Sequence, residues 1–280
     1  MRIKNIFIST LKSIGYAGIY LIAQVAIAFI YGIVYVAVNI NKFGSGNYDN
    51  IADTFQKEFL GQAYIIALIA AIVTFGIYVL MFRNKEENLF VRCRFKAFNL
   101  KVGLSLIPLT IALSAFSVSL VGMLVQFFPS YQEVSDTLQA ANGSMLSVLA
   151  ITILAPIFEE ILFRGIVFNE LKKSMPVIPA IIAQGVLFGI YHLNLLQGIY
   201  AAILGCILGL IYQMTKSLWS NIIVHMTFNL LGVFVMPYVL DKTSWFVIGY
   251  IILGAILTGI ILRYIYKKTK VEIMVIESDL

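Results

Sequence analysis

The chain is short of charge. Asp, Glu, Lys and Arg make up 12% of its 280 residues, against roughly a quarter in soluble proteins. Apolar residues make up 60%. A water-soluble globule of that composition would lack the polar surface to cover itself, so lipid is the solvent for most of the chain. No stretch is polar enough to form a separate soluble domain. Cysteine is scarce: Cys93 lies in a basic loop and Cys206 in the middle of an apolar run. Neither has a CxxC partner, they are not expected to pair, and both read as structurally neutral, Cys93 being at most a reactive thiol. There is no internal repeat, no low-complexity segment and no nucleic-acid motif. The formal charge of +6 sits in short loops between apolar runs, a pattern that serves membrane orientation.

What the sequence has in abundance is apolar runs of bilayer-spanning length, about 20 residues each. They fall at Ile14–Val38, Leu60–Phe82, Val102–Phe128, Ser144–Leu171, Val177–Leu193, Leu196–Tyr212, Leu218–Leu240 and Trp245–Ile265. The expected fold is all-α, a polytopic membrane bundle of about eight transmembrane helices in the cell membrane. Eight crossings put both termini on one side. On that scheme one side carries 17 of the 20 Lys and Arg residues, and the other only Lys42, Lys57 and Lys242. The bias makes the first side, and both termini, cytoplasmic. The first run is too long for a signal-peptide core, lacks a small-x-small cleavage site and is expected to be retained. Ile3, Phe7 and Leu11 share a face within Met1–Lys12, which fits a short interfacial helix and equally a frayed terminus. The tail Val271–Leu280 is expected to have little order. The chain divides into 1–143, three helices with a basic loop; 144–240, a core of four helices; and 241–280, the last helix and tail.

Most spans hold almost no ionisable residues. The exceptions are Glu159, Glu160 and Arg164 in the fourth run and the only two histidines, His192 and His225, in the fifth and seventh. A charge at mid-bilayer costs about 2.5–3.5 kcal/mol even on the lenient insertion scale, so these groups must face the bundle interior or a wet cavity. Counted from the cytoplasmic end at a rise of about 1.5 Å per residue, Glu159 lies about 18 Å in, His192 about 22 Å, His225 about 10 Å and Asn229 about 16 Å. His192 fits one layer least well. Glu160 and Arg164 are spaced as an i,i+4 ion pair with the acid first. Glu159 is rotated about 100° from Glu160, so one acid meets Arg164 while the other faces a cavity. His225 and Asn229, also four apart, would set two N–H donors side by side, which suits a developing oxyanion.

Three short motifs contain these residues. Glu159-Glu160-Ile161-Leu162-Phe163-Arg164 fits EExxxR, Phe188-Gly189-Ile190-Tyr191-His192 fits FxxxH, and His225-Met226-Thr227-Phe228-Asn229 fits HxxxN. In this order, on separate membrane helices, they resemble the motifs of the CPBP family of CAAX proteases and bacteriocin-processing enzymes, also called Abi. The resemblance covers Met145–Gly232, including the Lys-Ser-Leu-Trp approach to the third motif. It implies intramembrane peptide-bond hydrolysis without a covalent intermediate. Glu159 and His192 would activate water, His225 and Asn229 would stabilise the oxyanion, and Glu160 and Arg164 would support them. No Ser-His-Asp grouping or GxSxG occurs, and Cys206 has no basic neighbour in sequence to activate it.

Each residue also has a plainer reading. Glu160 and Arg164 form a structural ion pair; Glu159 is a second partner of Arg164; the histidines and Asn229 are interhelical hydrogen-bonding groups; Phe188 is packing; Gly198, Gly205 and Gly209 let helices approach closely. Two function classes follow. One is an endopeptidase acting on a peptide or membrane-protein substrate, such as a pheromone or bacteriocin precursor. The other is a non-proteolytic scaffold or bacteriocin self-immunity protein that acts on a membrane sensor or secretion partner. No cofactor is expected. Zinc held by Glu159, His192 and His225 is the alternative, without an HExxH helix to support it. A transporter would need paired broken helices or an inverted repeat, and neither is visible.

Overall fold

The computed structural model describes residues 2–43, 48–84, 86–141 and 144–278. Among them the regular elements are helices, and no strand occurs. Among the described residues seven helices are long and apolar enough to cross a membrane. They are α1 (Arg2–Val38), α2 (Tyr48–Met81), α3 (Leu100–Phe127), α5 (Met145–Leu171), α7 (Leu195–Thr215), α8 (Leu218–Lys242) and α9 (Val247–Ser278). Between them lie α4 (Tyr131–Ala141), an amphipathic connector, and α6 (Val177–Tyr191), an apolar helix of 15 residues. The chain is a multi-pass membrane protein.

The helix positions follow the apolar runs, but the ends differ. The N-terminal stretch, open between an interfacial helix and a frayed terminus, forms the first turns of α1, since nothing between Lys12 and Gly15 interrupts the ladder. The tail, expected to have little order, continues α9 to Ser278; it contains neither Gly nor Pro to stop a helix. Met1, Lys85, Asp279 and Leu280 lie outside the described residues. Elsewhere capping sets the ends. Asn99, Ser144 and Asn194 accept hydrogen bonds from backbone N–H groups in the first turns of α3, α5 and α7. Lys216 closes α7 in the left-handed conformation at φ 54°.

The fifth and sixth apolar runs are two helices, α6 and α7, joined by the turn His192–Asn194. Leu193 takes φ 57° there, a strained conformation for a branched side chain. The pair is held by backbone contact. A Cβ on Gly189 would stand 2.5 Å from the Gly198 carbonyl oxygen, and one on Gly205 would stand 2.9 Å from the Gly185 Cα. Gly198 and Gly205 therefore serve close approach, as expected; at Gly209 the neighbour is the Gln184 amide, 2.7 Å from such a Cβ. At 15 residues, α6 is about 22 Å long, shorter than the roughly 30 Å hydrocarbon core. Its far end carries His192 against the Phe188 ring. Asn194 ties that turn to the Ser130 carbonyl at 3.0 Å.

At the opposite end, loops are stitched together. Leu218 N–H donates to the Arg94 carbonyl at 3.1 Å, and Tyr212 Oη donates to the Arg92 carbonyl at 3.1 Å. Glu170 gathers Lys173 at 2.9 Å, Arg92 at 3.5 Å and Lys12 at 3.7 Å. Cys93 is fully buried against Gly165. Burial pushes its thiol up to about 12, which removes it as a reactive thiol at neutral pH.

Candidate active site

Helix α5 carries the first motif and is not a regular α-helix. Two π-helical stretches, Ala150–Leu154 and Ile161–Phe168, flank an α-helical segment Ala155–Glu160. Local π geometry is frequent at functional sites. Pro156 explains the first stretch: a proline ring clashes with the carbonyl four residues earlier, and a wider turn relieves the clash. Pro237 follows a third π stretch, Leu231–Val235, in α8 in the same way.

The two adjacent acids part as their helical phase predicts. Glu160 is fully buried and saturated. Its Oε1 accepts from Arg164 Nη1 at 2.8 Å and lies 2.8 Å from His225 Nδ1; its Oε2 accepts from Asn221 Nδ2 at 3.2 Å. The other arm of Arg164 donates to the Gly205 carbonyl at 3.0 Å. The expected Glu160–Arg164 pair thus forms, and it does more than neutralise charge, because it anchors the third-motif histidine. Glu159 is not a second partner of Arg164. Its carboxylate, 14% exposed, approaches His225 Nε2 at 3.5 Å. It also faces a small pocket lined by Tyr20, Tyr64, Ala67, Ala71 and Ala155.

Partner chemistry fixes the tautomers of both histidines. A carboxylate held by a guanidinium only accepts, so His225 carries its proton on Nδ1 and turns Nε2 toward Glu159. His192 Nδ1 lies 2.8 Å from the Phe188 carbonyl, which likewise only accepts, so His192 leaves Nε2 free as a base. The Phe188 ring packs edge-on against both imidazoles, with centroids 4.9 Å from His192 and 5.7 Å from His225. Arg164 stacks over the same ring at 4.9 Å. Phe188 is packing, as its type suggests, and what it packs is the spacing of the charged and imidazole groups. His192, the poorest fit by depth, joins the others through this ring.

Asn229, four residues beyond His225, commits one of its two amide hydrogens to the Ile151 carbonyl at 3.0 Å. Among the described residues no group of three His, Cys, Asp or Glu side chains comes together in a way that could hold a metal ion. The Glu159, His192 and His225 set considered for zinc does not converge as ligands.

Several participants escape a reading of motifs alone. Asn221 and Gln184 are fully buried; Asn221 holds Glu160 and the Leu208 carbonyl, and Gln184 donates to the Gly205 carbonyl at 2.7 Å. Their signal was spacing. Asn221, His225 and Asn229 form one i,i+4,i+8 stripe, and Gln184, Phe188 and His192 another. Tyr20 and Tyr64 reach the pocket from α1 and α2, and nothing in their local sequence marks them.

The fold and site define a helical membrane protein with a buried carboxylate–imidazole centre. Residues 141–231, about a third of the chain, match the family described as type II CAAX prenyl endopeptidase Rce1-like. A stretch of 98 residues, 35% of the chain, is 32% identical to a Bacillus subtilis protein named "Putative membrane peptidase YdiL". The match spans 39% of that relative's length. No solved structure matches the chain.

Proposed function

We propose that this protein is an intramembrane endopeptidase in which Glu159 and His192 act on water without a covalent intermediate. The observation that supports it best is the division of labour between adjacent acids: Glu160 is saturated by Arg164, His225 and Asn221, while Glu159 faces a pocket. In this reading Glu159, aided by His192 Nε2, takes a proton from water as the oxygen attacks the scissile carbonyl. The carbonyl π electrons move to oxygen. His225, held by Glu160, then stabilises the oxyanion as an imidazolium, having gained a proton on Nε2 from Glu159. The proton finally passes to the amide nitrogen, the C–N bond breaks, and acid and amine products leave. Arg164, Glu160, His225 and Glu159 form a chain of alternating charge when His225 is protonated, so the buried quartet tolerates that transfer. The substrate is a peptide or membrane protein that presents an uncharged segment to the pocket between α1, α2 and α5.

The test is purified protein in detergent, assayed on a library of apolar peptides, with a strong chelator and without. Glu159→Gln and His192→Ala should each lose about 10²–10⁴-fold in turnover at unchanged abundance, and activity should survive chelation. Full activity of Glu159→Gln would sink the peptidase reading and favour a scaffold or immunity protein. Activity lost with one bound metal per chain would recast the imidazoles as ligands.

We also propose that α6 crosses with the seven longer helices and that both termini are cytoplasmic, a reading supported by the charge bias. Reporter fusions after Asn99 and Lys268 should read cytoplasmic, and one after Gln139 external; an external signal at Asn99 would overturn the orientation.

A further inference from the structure

The helix that carries Glu159 has a carbonyl its own backbone does not serve. In an α-helix the Ile151 carbonyl would accept from the N–H of residue 155. Here Ala155 N–H goes to Ala150 instead, a bond of π register. The next bond in that register would run from residue 156 to Ile151, but residue 156 is proline and has no N–H. Ile151 is 6% exposed, so water is not a ready substitute, and an unserved buried carbonyl is costly. The donor comes from another helix. Asn229 Nδ2 bonds Ile151 at 3.0 Å across 78 residues of chain.

We infer that Asn229 is a positioning residue that locks the register of α5 by serving the carbonyl that Pro156 leaves open. The bulge lies just upstream of the α-helical segment Ala155–Glu160. Sliding the turn back to α register would rotate everything beyond it by about 100° relative to Ala150. Glu159 would leave the pocket and Glu160 would leave His225. Helix α8 is therefore joined to α5 at two points, at Glu160 by Asn221 and His225 and at Ile151 by Asn229. The second point fixes where the first can form. One of the two amide hydrogens of Asn229 is committed to this bond, so the primary duty of the side chain is to α5. The consequence for turnover rests on the peptidase reading above; the bond itself does not.

The test is a double-mutant cycle in the full-length protein in detergent. Asn229→Ala should lower Tm by about 2–10 °C. Pro156→Ala restores an N–H at the position the π register needs, so the same Asn229→Ala change in that background should cost less than half as much. In turnover, Asn229→Ala should fall about 10²-fold, as for a small misplacement of a catalytic group, mainly in kcat. The double variant should recover at least tenfold of that loss. An equal Tm loss in both backgrounds overturns the inference, as does an unchanged Tm with turnover lost and not rescued, which is the pattern of an oxyanion donor. If Pro156→Ala does not accumulate, Asn229→Asp decides. A protonated carboxyl donates and an ionised one does not, so its Tm should rise above that of Asn229→Ala as pH falls and match it at high pH; no pH-dependent gap overturns the inference. If the wild type cleaves no peptide, the peptidase reading fails while the Tm cycle still decides the bond.

Discussion

Helices α1 and α5 are both apolar enough to cross a membrane, yet 6% of the most apolar stretch of α1 is buried, against 56% for α5. Hydropathy alone does not distinguish them. The difference lies in what interrupts the apolar run. α1 carries Tyr, Ser and Gly but no Asp, Glu, Lys or Arg beyond Lys12, and it turns Ile22, Val25 and Phe29 outward. α5 carries Glu159, Glu160 and Arg164 in its middle, and lipid cannot solvate them. The neighbouring helices therefore close around α5 and leave α1 at the rim. In a membrane protein the polar exceptions, more than the apolar majority, decide which helix becomes the centre.

The comparison breaks most visibly at Glu160. Glu160→Ala leaves Arg164 buried beside an unpaired His225, at a cost of about 3–5 kcal/mol. It should appear as lost membrane abundance and a lower unfolding midpoint in detergent. Normal abundance would mean that the buried pair does not organise the core. A smaller effect is expected where backbones touch. Gly189→Val would drive a side chain into the Gly198 carbonyl, 2.5 Å from the ideal Cβ, at a cost of about 1–3 kcal/mol. His192, three residues on, should lose activity along with stability. The smallest effect belongs to α1. Val25 and Phe29 are 70% and 69% exposed, so Val25→Leu and Phe29→Leu should change the unfolding free energy by no more than about 0.5 kcal/mol. A loss there as large as that of Gly189→Val would reveal that the outer face of α1 has a protein partner.

The sequence by itself determined the class of protein, the order of the apolar helices, and the intramembrane charged and imidazole side chains around which the candidate site is built. It could do so because apolar length and intramembrane charge are local properties, readable one segment at a time. Motif spacing also announced the Glu160–Arg164 pair, since four residues is a distance fixed by the helix itself. The tertiary structure decided the rest. Which nitrogen of His225 faces Glu159 depends on Glu160 reaching it from another helix. The duty of Asn229 depends on a carbonyl that a bulge and a proline expose 78 residues earlier. The pocket wall depends on Tyr20 and Tyr64 of helices outside the motif region. A hydrogen bond between helices is a property of two segments and the angle between them, and no single segment encodes it.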